Sequence, residues 1–232
     1  MSPANAAYVI KHNPEVDPKS VEVCPNSIEV IDKSVDAETA KQIRGKYGIP
    51  LDKTVFVYGG NLGRPQGIPF LIECLKECQS LEKAYFLIVG DGTEYGLLES
   101  YISSAGPGNA RLMRRLPKED YDTLVGACDI GMIFLDHRFT IPNFPSRLLS
   151  YMQAKLPVLA ATDTNTDIGK VITAGRFGWW CESSDAEAFK KTAEAALKAP
   201  LKEYGKNSFD YLCAEYSADD CVKKIAGFAE KI

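Results

Sequence analysis

Three short stretches of the chain combine residue types able to grip an anion. In Ile141–Ala160, IPNFPSRLLSYMQAKLPVLA, an amphipathic helix follows a loop crowded with two prolines and an asparagine. Pro145 suits the first helical turn, because its missing N–H would have no intrahelical partner there. The next amides, of Ser146, Arg147 and Leu148, are then expected to point outward, where free N–H groups and the helix dipole attract anions. Ser146 adds a hydroxyl donor and Arg147 a permanent planar fork of charge matched to phosphate oxygens. The turn therefore reads as a holder for a diphosphate, against the plainer reading of a Ser or Asn cap beside a solvated arginine.

The second stretch, YGGNLGRPQG from Tyr58 to Gly67, holds four glycines that permit close backbone approach. Amides around Gly60 and Asn61 are expected to line a phosphate, with Arg64 or Gln66 nearby; an ordinary glycine-rich turn is the alternative. The third, VGDGTEYG from Val89 to Gly96, imitates the dinucleotide fingerprint GxGxxG. Its glycines, Gly90, Gly92 and Gly96, are spaced 2 and 4 instead of 2 and 3, and the next strand, ARLMRRL, carries arginines where an acidic residue is required. A strand-to-helix turn capped by Thr93 accounts for it better than NAD does. His12 and His137 are the only histidines. His137, flanked by Asp136 and Arg138, reads as a loop residue near a ligand, and no carboxylate pair or metal constellation is arranged for hydrolysis.

The elements that must position these loops alternate along the chain. An Asp-capped helix is expected from Asp36 to Tyr47, stopped by Gly48 and Pro50. From Lys53 onward apolar strands alternate with amphipathic helices: KTVFVYGG, KAYFLIVGDG, ARLMRRL, IGMIFLD, PVLAAT and FGWWCE read as strands. Repeated βα units of this kind predict a Rossmann-like, doubly wound, mostly parallel α/β sheet with helices on both faces. Ahead of it, SVEVCP reads as a short strand; at the far end, Ser217 is expected to cap a final helix. In such a sheet ligands sit beyond the carboxyl ends of the strands, where all three loops fall.

Composition sets the outer bounds. The chain has 232 residues, 45% hydrophobic and 25% charged, enough to bury one large α/β core or two small ones. A net charge of −4 offers no broad basic surface, which argues against nucleic acid as a main partner and leaves room for a local basic cleft. Seven scattered cysteines suit a reducing cytosol better than a disulfide framework, and Cys74 and Cys78 read as buried packing residues. No apolar run nears the roughly 18 residues that would span a bilayer, and the amino terminus lacks a signal-peptide pattern. A soluble, cytoplasmic protein is expected, its contact with a membrane limited to a peripheral one.

In order and spacing, the segments VEVCPNSIEV, YGGNLGRPQG, FLIVGDGTE, ACDIGMIFL and FPSRLLSYMQAKLPVLA resemble the donor-binding half of GT-B glycosyltransferases of the large retaining family 4, especially bacterial enzymes that build surface polysaccharides. The resemblance runs from about Val21 to the end. It implies a linker remnant in residues 1–20, a nucleotide-sugar-binding domain in residues 21–216, and in residues 217–232 a helix that crosses to an amino-terminal acceptor domain missing from this chain. It also implies transfer of a sugar, with retention, from a nucleotide-diphosphate sugar to a glycan or lipid-linked acceptor, at the inner membrane face. No other cofactor and no metal are implied, the helix terminus and basic side chains taking the metal's electrostatic part. The donor diphosphate would be held by Gly60, Asn61, Arg64, Gln66, Pro145, Ser146, Arg147 and Leu148, and the ribose and base by Arg115, Leu116, Pro117 and Ser150; no catalytic residue is assigned. Asn61 and Gln66 stand where the family commonly has an Arg and a Lys, and Pro142 and Ser150 where it has two glutamates. Those departures also fit a non-catalytic partner or scaffold domain that kept the fold and lost the site.

Overall fold

The computed structural model describes residues 1–230. Among them six strands, β1 (Thr54–Asn61), β2 (Ala84–Asp91), β3 (Ala110–Met113), β4 (Ile130–Phe134), β5 (Val158–Thr162) and β6 (Gly178–Glu182), form one sheet in the order β3-β2-β1-β4-β5-β6. Every neighbouring pair is parallel. The helices are α1 (Pro3–His12), α2 (Ala37–Tyr47), α3 (Ile68–Glu77), α4 (Tyr95–Ala105), α5 (Lys118–Gly126), α6 (Arg147–Gln153), α7 (Ile168–Ala174), α8 (Ala186–Leu197), α9 (Leu201–Glu215) and α10 (Ala218–Ala229).

Strand residues alternate between two apolar layers. Val55 and Val57 face a layer completed by α2, α5, α6, α7 and α9 through Ile43, Leu124, Leu148, Ile172 and Leu212. Phe56 and Tyr58 face the opposite layer, with Leu71 of α3, Leu98 of α4 and Phe189 of α8. Covered on both sides, β2 is buried along its length except at Asp91, so its sequence reads as a continuous apolar run. Local signals agree at α2: Asp36 Oδ1 accepts from the Thr39 amide at 2.8 Å, and Gly48 ends the helix in the left-handed region.

Three expectations are corrected, and a helix is found within residues 1–20. Val21–Pro25 forms no strand: the segment runs beside the end of α9, and just after it Ile28 donates to Tyr216 O and accepts from the Ala218 amide, which ties the chain to the α9–α10 junction instead of the sheet. The expected linker contains α1, capped by Ser2 and seated on the strand-end rim; Ala4 N–H donates to Asp167 Oδ2 at 3.0 Å and Asn5 Nδ2 to Pro142 O at 2.7 Å. Thr93 caps nothing, since α4 starts from Glu94 with no side-chain cap. Ser217 occupies the cap position of α10, but its hydroxyl bonds no helix amide. Residues 231 and 232 of the expected final helix lie outside the described residues.

All seven cysteines are free thiols, and burial pushes those of Cys74 and Cys78 up from their ordinary value. No helix among the described residues is long and apolar enough to cross a membrane.

Candidate functional site

The chain leaves β1 toward β2 on one side and later returns to the other side of β1 as β4, so the loops after these two strands part and open a crevice. The parting is built into the backbone. Strands β1 and β4 pair only at Phe56–Ile130 and Val57–Gly131, and beyond that the Tyr151 hydroxyl wedges between them. It lies 3.2 Å from Val57 O and 3.1 Å from Met132 O and has one proton for the two carbonyls. Burial pushes its pKa up to about 12, so it stays a donor across the physiological range.

Three glycines make room at the crevice floor. A Cβ on Gly131 would lie 2.4 Å from the Tyr151 ring, and one on Gly59 would lie 1.8 Å from the Tyr121 hydroxyl oxygen. Gly60 has φ of 142°, a conformation that favours glycine, and a Cβ there would sit 3.0 Å from Arg147 Nη2. The Arg147 guanidinium thus lies across Gly60, its centre 5.1 Å from the centroid of the Tyr121 ring. Among the described residues no carboxylate pairs with it.

The crevice has two halves that share Gly60, Asn61 and Arg147. The first, about 370 Å³, runs under the loops after β2 and β3 and is lined by Asp91, Arg115, Leu116, Lys118 and Tyr121. Asp91 pairs with Arg114 at 3.3 Å, so the balance of charge is positive. The second half, about 430 Å³, lies toward the loop after β4 and is lined by Asn26, Gln66, Asn143 and Ser146 beside Met1 and apolar residues such as Phe134 and Leu135, with no carboxylate and no histidine among the described residues. The arrangement suits an anion at the shared centre, a larger group beneath the basic loop, and a hydroxyl-rich group among the amides.

Several expected residues fall into place and several do not. Gly60, Asn61, Gln66, Pro145, Ser146, Arg147, Arg115 and Leu116 line one half or both. The turn into α6 is tighter than expected. Leu148 N–H donates to Pro145 O at 3.3 Å and Leu149 N–H to Ser146 O at 3.1 Å, so the Leu148 amide is taken and its side chain is fully buried. The amides of Ser146 and Arg147 remain for a ligand.

Arg64 does not converge on Arg147. Its side chain is 88% exposed and borders a separate shallow pocket with Asp136 and Arg138. Ser150 and Pro117 line neither half; Pro117 O accepts the Tyr121 amide at 2.9 Å. His137 also lines neither half, and lies 3.8 Å from Asp136, which Arg138 holds in a two-pronged pair at 2.6 and 2.9 Å. Those hydrogen bonds depress the Asp136 carboxyl to about 2. Within the glycine loop, Asn61 Nδ2 donates to Gln66 Oε1 at 3.1 Å, and the Gly63 amide donates to the same oxygen at 3.3 Å. The two amides form a neutral clasp.

The glycines of the third loop serve packing. A Cβ on Gly90 would meet Gly60 O at 2.1 Å, and one on Gly92 would meet Leu62 O at 2.5 Å. They are needed for the close passage of the two loops, which explains them without a dinucleotide. The sequence reading missed Lys118, Tyr121 and Tyr151. Lys118 follows directly on the loop already singled out, whereas the tyrosines look like core positions until the strands are seen to part.

A doubly wound parallel sheet with a basic crevice at its switch point is the Rossmann-like α/β architecture found in GT-B glycosyltransferases. The chain belongs to the glycosyl transferases group 1 family, whose model matches residues 39–209, well over half of its length. It is 26% identical over 174 residues to the probable glycosyltransferase WbjE of Pseudomonas aeruginosa, covering 75% of this chain and 43% of that protein. It is 25% identical over 188 residues to the putative colanic acid biosynthesis glycosyl transferase WcaI of Escherichia coli K12, covering 77% and 44%. The chain thus spans less than half the length of these relatives. A glycosyltransferase structure from Rickettsia africae ESF-5 superposes with a TM-score of 0.80 at 16% identity, over 97% of this chain and 60% of that one. Anabaena Alr3699/HepE in complex with UDP-glucose does so with a TM-score of 0.76 at 16% identity, over 98% and 61%. At these identities the likeness to solved structures speaks to the fold.

Proposed function

We propose that this chain is the nucleotide-sugar-binding domain of a glycosyltransferase that moves a sugar from a nucleotide diphosphate to a glycan or lipid-linked acceptor in polysaccharide assembly. The observation that carries the reading is the Arg147 guanidinium, unpaired by any carboxylate among the described residues and laid over Gly60 at the centre of the crevice. It suits the pyrophosphate of the donor. As the bond from the anomeric carbon to the phosphate oxygen breaks, charge grows on the departing diphosphate, where a fixed cation and the Ser146 and Arg147 amides stabilise it. The nucleoside lies in the first half against Arg115 and Leu116, and the sugar in the amide-lined second half.

Retention at the anomeric carbon fits a second half with neither carboxylate nor histidine to act as nucleophile or base on this domain. The departing phosphate is then the base nearest the incoming hydroxyl and takes its proton, while that hydroxyl oxygen bonds the anomeric carbon. An acceptor-binding half would act beside this domain, in keeping with the greater length of the relatives. The exposed Val222 and Ile225 of α10 suit contact with it, and the lipid-linked acceptor would bring the protein to a membrane surface only peripherally.

A second reading, a non-catalytic scaffold domain, is favoured by the neutral Asn61–Gln66 clasp and by Ser150 lying away from the crevice. Calorimetric titration with UDP, GDP, ADP and NAD separates them. Saturable binding of one diphosphate in preference to NAD supports the donor-domain reading. Silence toward all four supports the scaffold.

A further inference from the structure

Arg147 raises a physical question that the crevice itself answers. An arginine side chain loses rotamer entropy when held in one place, and the usual restraint is a carboxylate. Here no carboxylate is paired with it, and one would neutralise the charge a ligand needs. The surface beneath the guanidinium is the ring of Tyr121, 5.1 Å away, with the Gly60 backbone alongside. An aromatic face attracts a cation electrostatically without consuming its charge or its N–H donors.

Tyr121 is an unusual core residue in its own right. It is buried, and among the described residues its hydroxyl makes no well-formed hydrogen bond, only a strained approach to the Tyr151 hydroxyl, which is a cost that an ordinary packing position would avoid with Phe or Leu. Space for it exists because residue 59 lacks a side chain, a Cβ there falling 1.8 Å from the hydroxyl oxygen. Ring, glycine and guanidinium are therefore fitted to one another across three separate elements: the α5 helix, the end of β1 and the start of α6.

We propose that Tyr121 is a positioning residue for Arg147: its ring face holds the guanidinium over Gly60 with its charge undiminished, in register for a nucleotide diphosphate. The proposal rests on the donor-domain reading above and extends it to a residue that acts through Arg147. Asn61 and Gln66 engage one another and add no cation beside Gly60, so the charge there is that of Arg147, with Arg115 and Lys118 also lining the first half.

The test is a double-mutant cycle read by UDP, GDP and ADP titration, with thermal melting of each protein as a check on folding. Tyr121→Met fills the volume but removes the ring, and is expected to weaken the preferred diphosphate about tenfold, within the range of a partly desolvated cation–π contact. Tyr121→Phe keeps the ring and is expected to bind within about twofold of the parent, without loss of melting temperature, because the deleted hydroxyl made no well-formed hydrogen bond. In an Arg147→Ala background, Tyr121→Met is expected to change affinity by less than about twofold, because the residue it acts through is gone.

An equal loss from Tyr121→Met in both backgrounds overturns the proposal and makes the ring a purely structural element. So does a Phe variant as weak as the Met variant. Should Tyr121→Met fail to fold, the Phe variant and the Nε–Hε resonance of Arg147 decide. A ring-current displacement of that resonance kept in Tyr121→Phe supports the proposal, and an unshifted resonance in the parent contradicts it. A parent protein that binds none of the three diphosphates removes the donor-domain reading and this proposal together, whereas a binding parent with an uncoupled cycle removes this one alone.

Discussion

Replacing Tyr151 by Phe deletes one oxygen and leaves the ring where it is, which isolates the wedge that parts β1 from β4. The hydroxyl stands 3.2 Å from Val57 O and 3.1 Å from Met132 O in a fully buried setting. Without it, neither carbonyl has this donor, and both residues are fully buried. A buried polar group deprived of its partner costs about 1–3 kcal/mol. For a domain of this size about 1 kcal/mol corresponds to a 2–4 °C shift in melting temperature, so a drop of roughly 2–12 °C is expected.

Urea denaturation with the slope held in common should give the matching fall in midpoint. A companion change attacks the same joint from the other side: Gly131→Ala puts a Cβ 2.4 Å from the Tyr151 ring, and the overpacking adds about 1–3 kcal/mol of its own. A Tyr151→Phe protein as stable as the parent would refute the reasoning, because the hydroxyl would then not be what satisfies the parted strands.

Other consequences are as direct. Gly60→Ala, at a φ of 142° and with its Cβ 3.0 Å from Arg147 Nη2, should weaken diphosphate binding about tenfold or more while leaving much of the fold intact, as circular dichroism beside a titration would show. Gln66→Lys breaks the amide clasp and adds a cation to the second half, so affinity for the diphosphate should rise several-fold and become more salt-sensitive, readable from titrations at two ionic strengths. The Asp136 carboxyl is held at about 2, below its ordinary 3.8, chiefly by its hydrogen bonds to Arg138; its stabilising share is therefore complete above pH 5 and lost as pH falls from about 4 to 2. Asp136→Asn should flatten that part of the acid denaturation curve and leave neutral pH behaviour to the remaining groups.

Much of the fold was legible because its signals are local. The alternation of Val55 and Val57 with Phe56 and Tyr58, and the Asp36 and Gly48 bounds of α2, are short-range consequences of strand pleat and helix capping. Val21–Pro25 was misread because its alternation is real, but the neighbour that satisfies the following backbone is a helix junction almost 200 residues away. The site was legible in parts for a related reason. Glycine loops and Pro145–Arg147 carry their chemistry in their residue types, so Gly60 and Arg147 could be named from sequence. Arg64 has the same charge as Arg147, and nothing in its neighbours tells that its turn carries it to the far side of the loop. Tyr121 and Tyr151 sit on helices at core spacing, and what sets them apart is the gap between two strands that are distant in sequence.

The most direct test of the central claim is the ratio of affinities for a nucleoside diphosphate and its monophosphate, measured on the parent and on Arg147→Ala. If the guanidinium holds the outer phosphate, the parent should prefer UDP, GDP or ADP over the matching monophosphate by about tenfold or more, and Arg147→Ala should bring that preference close to one with monophosphate binding little changed. A preference that survives the substitution, or a parent that does not distinguish the two, contradicts the account.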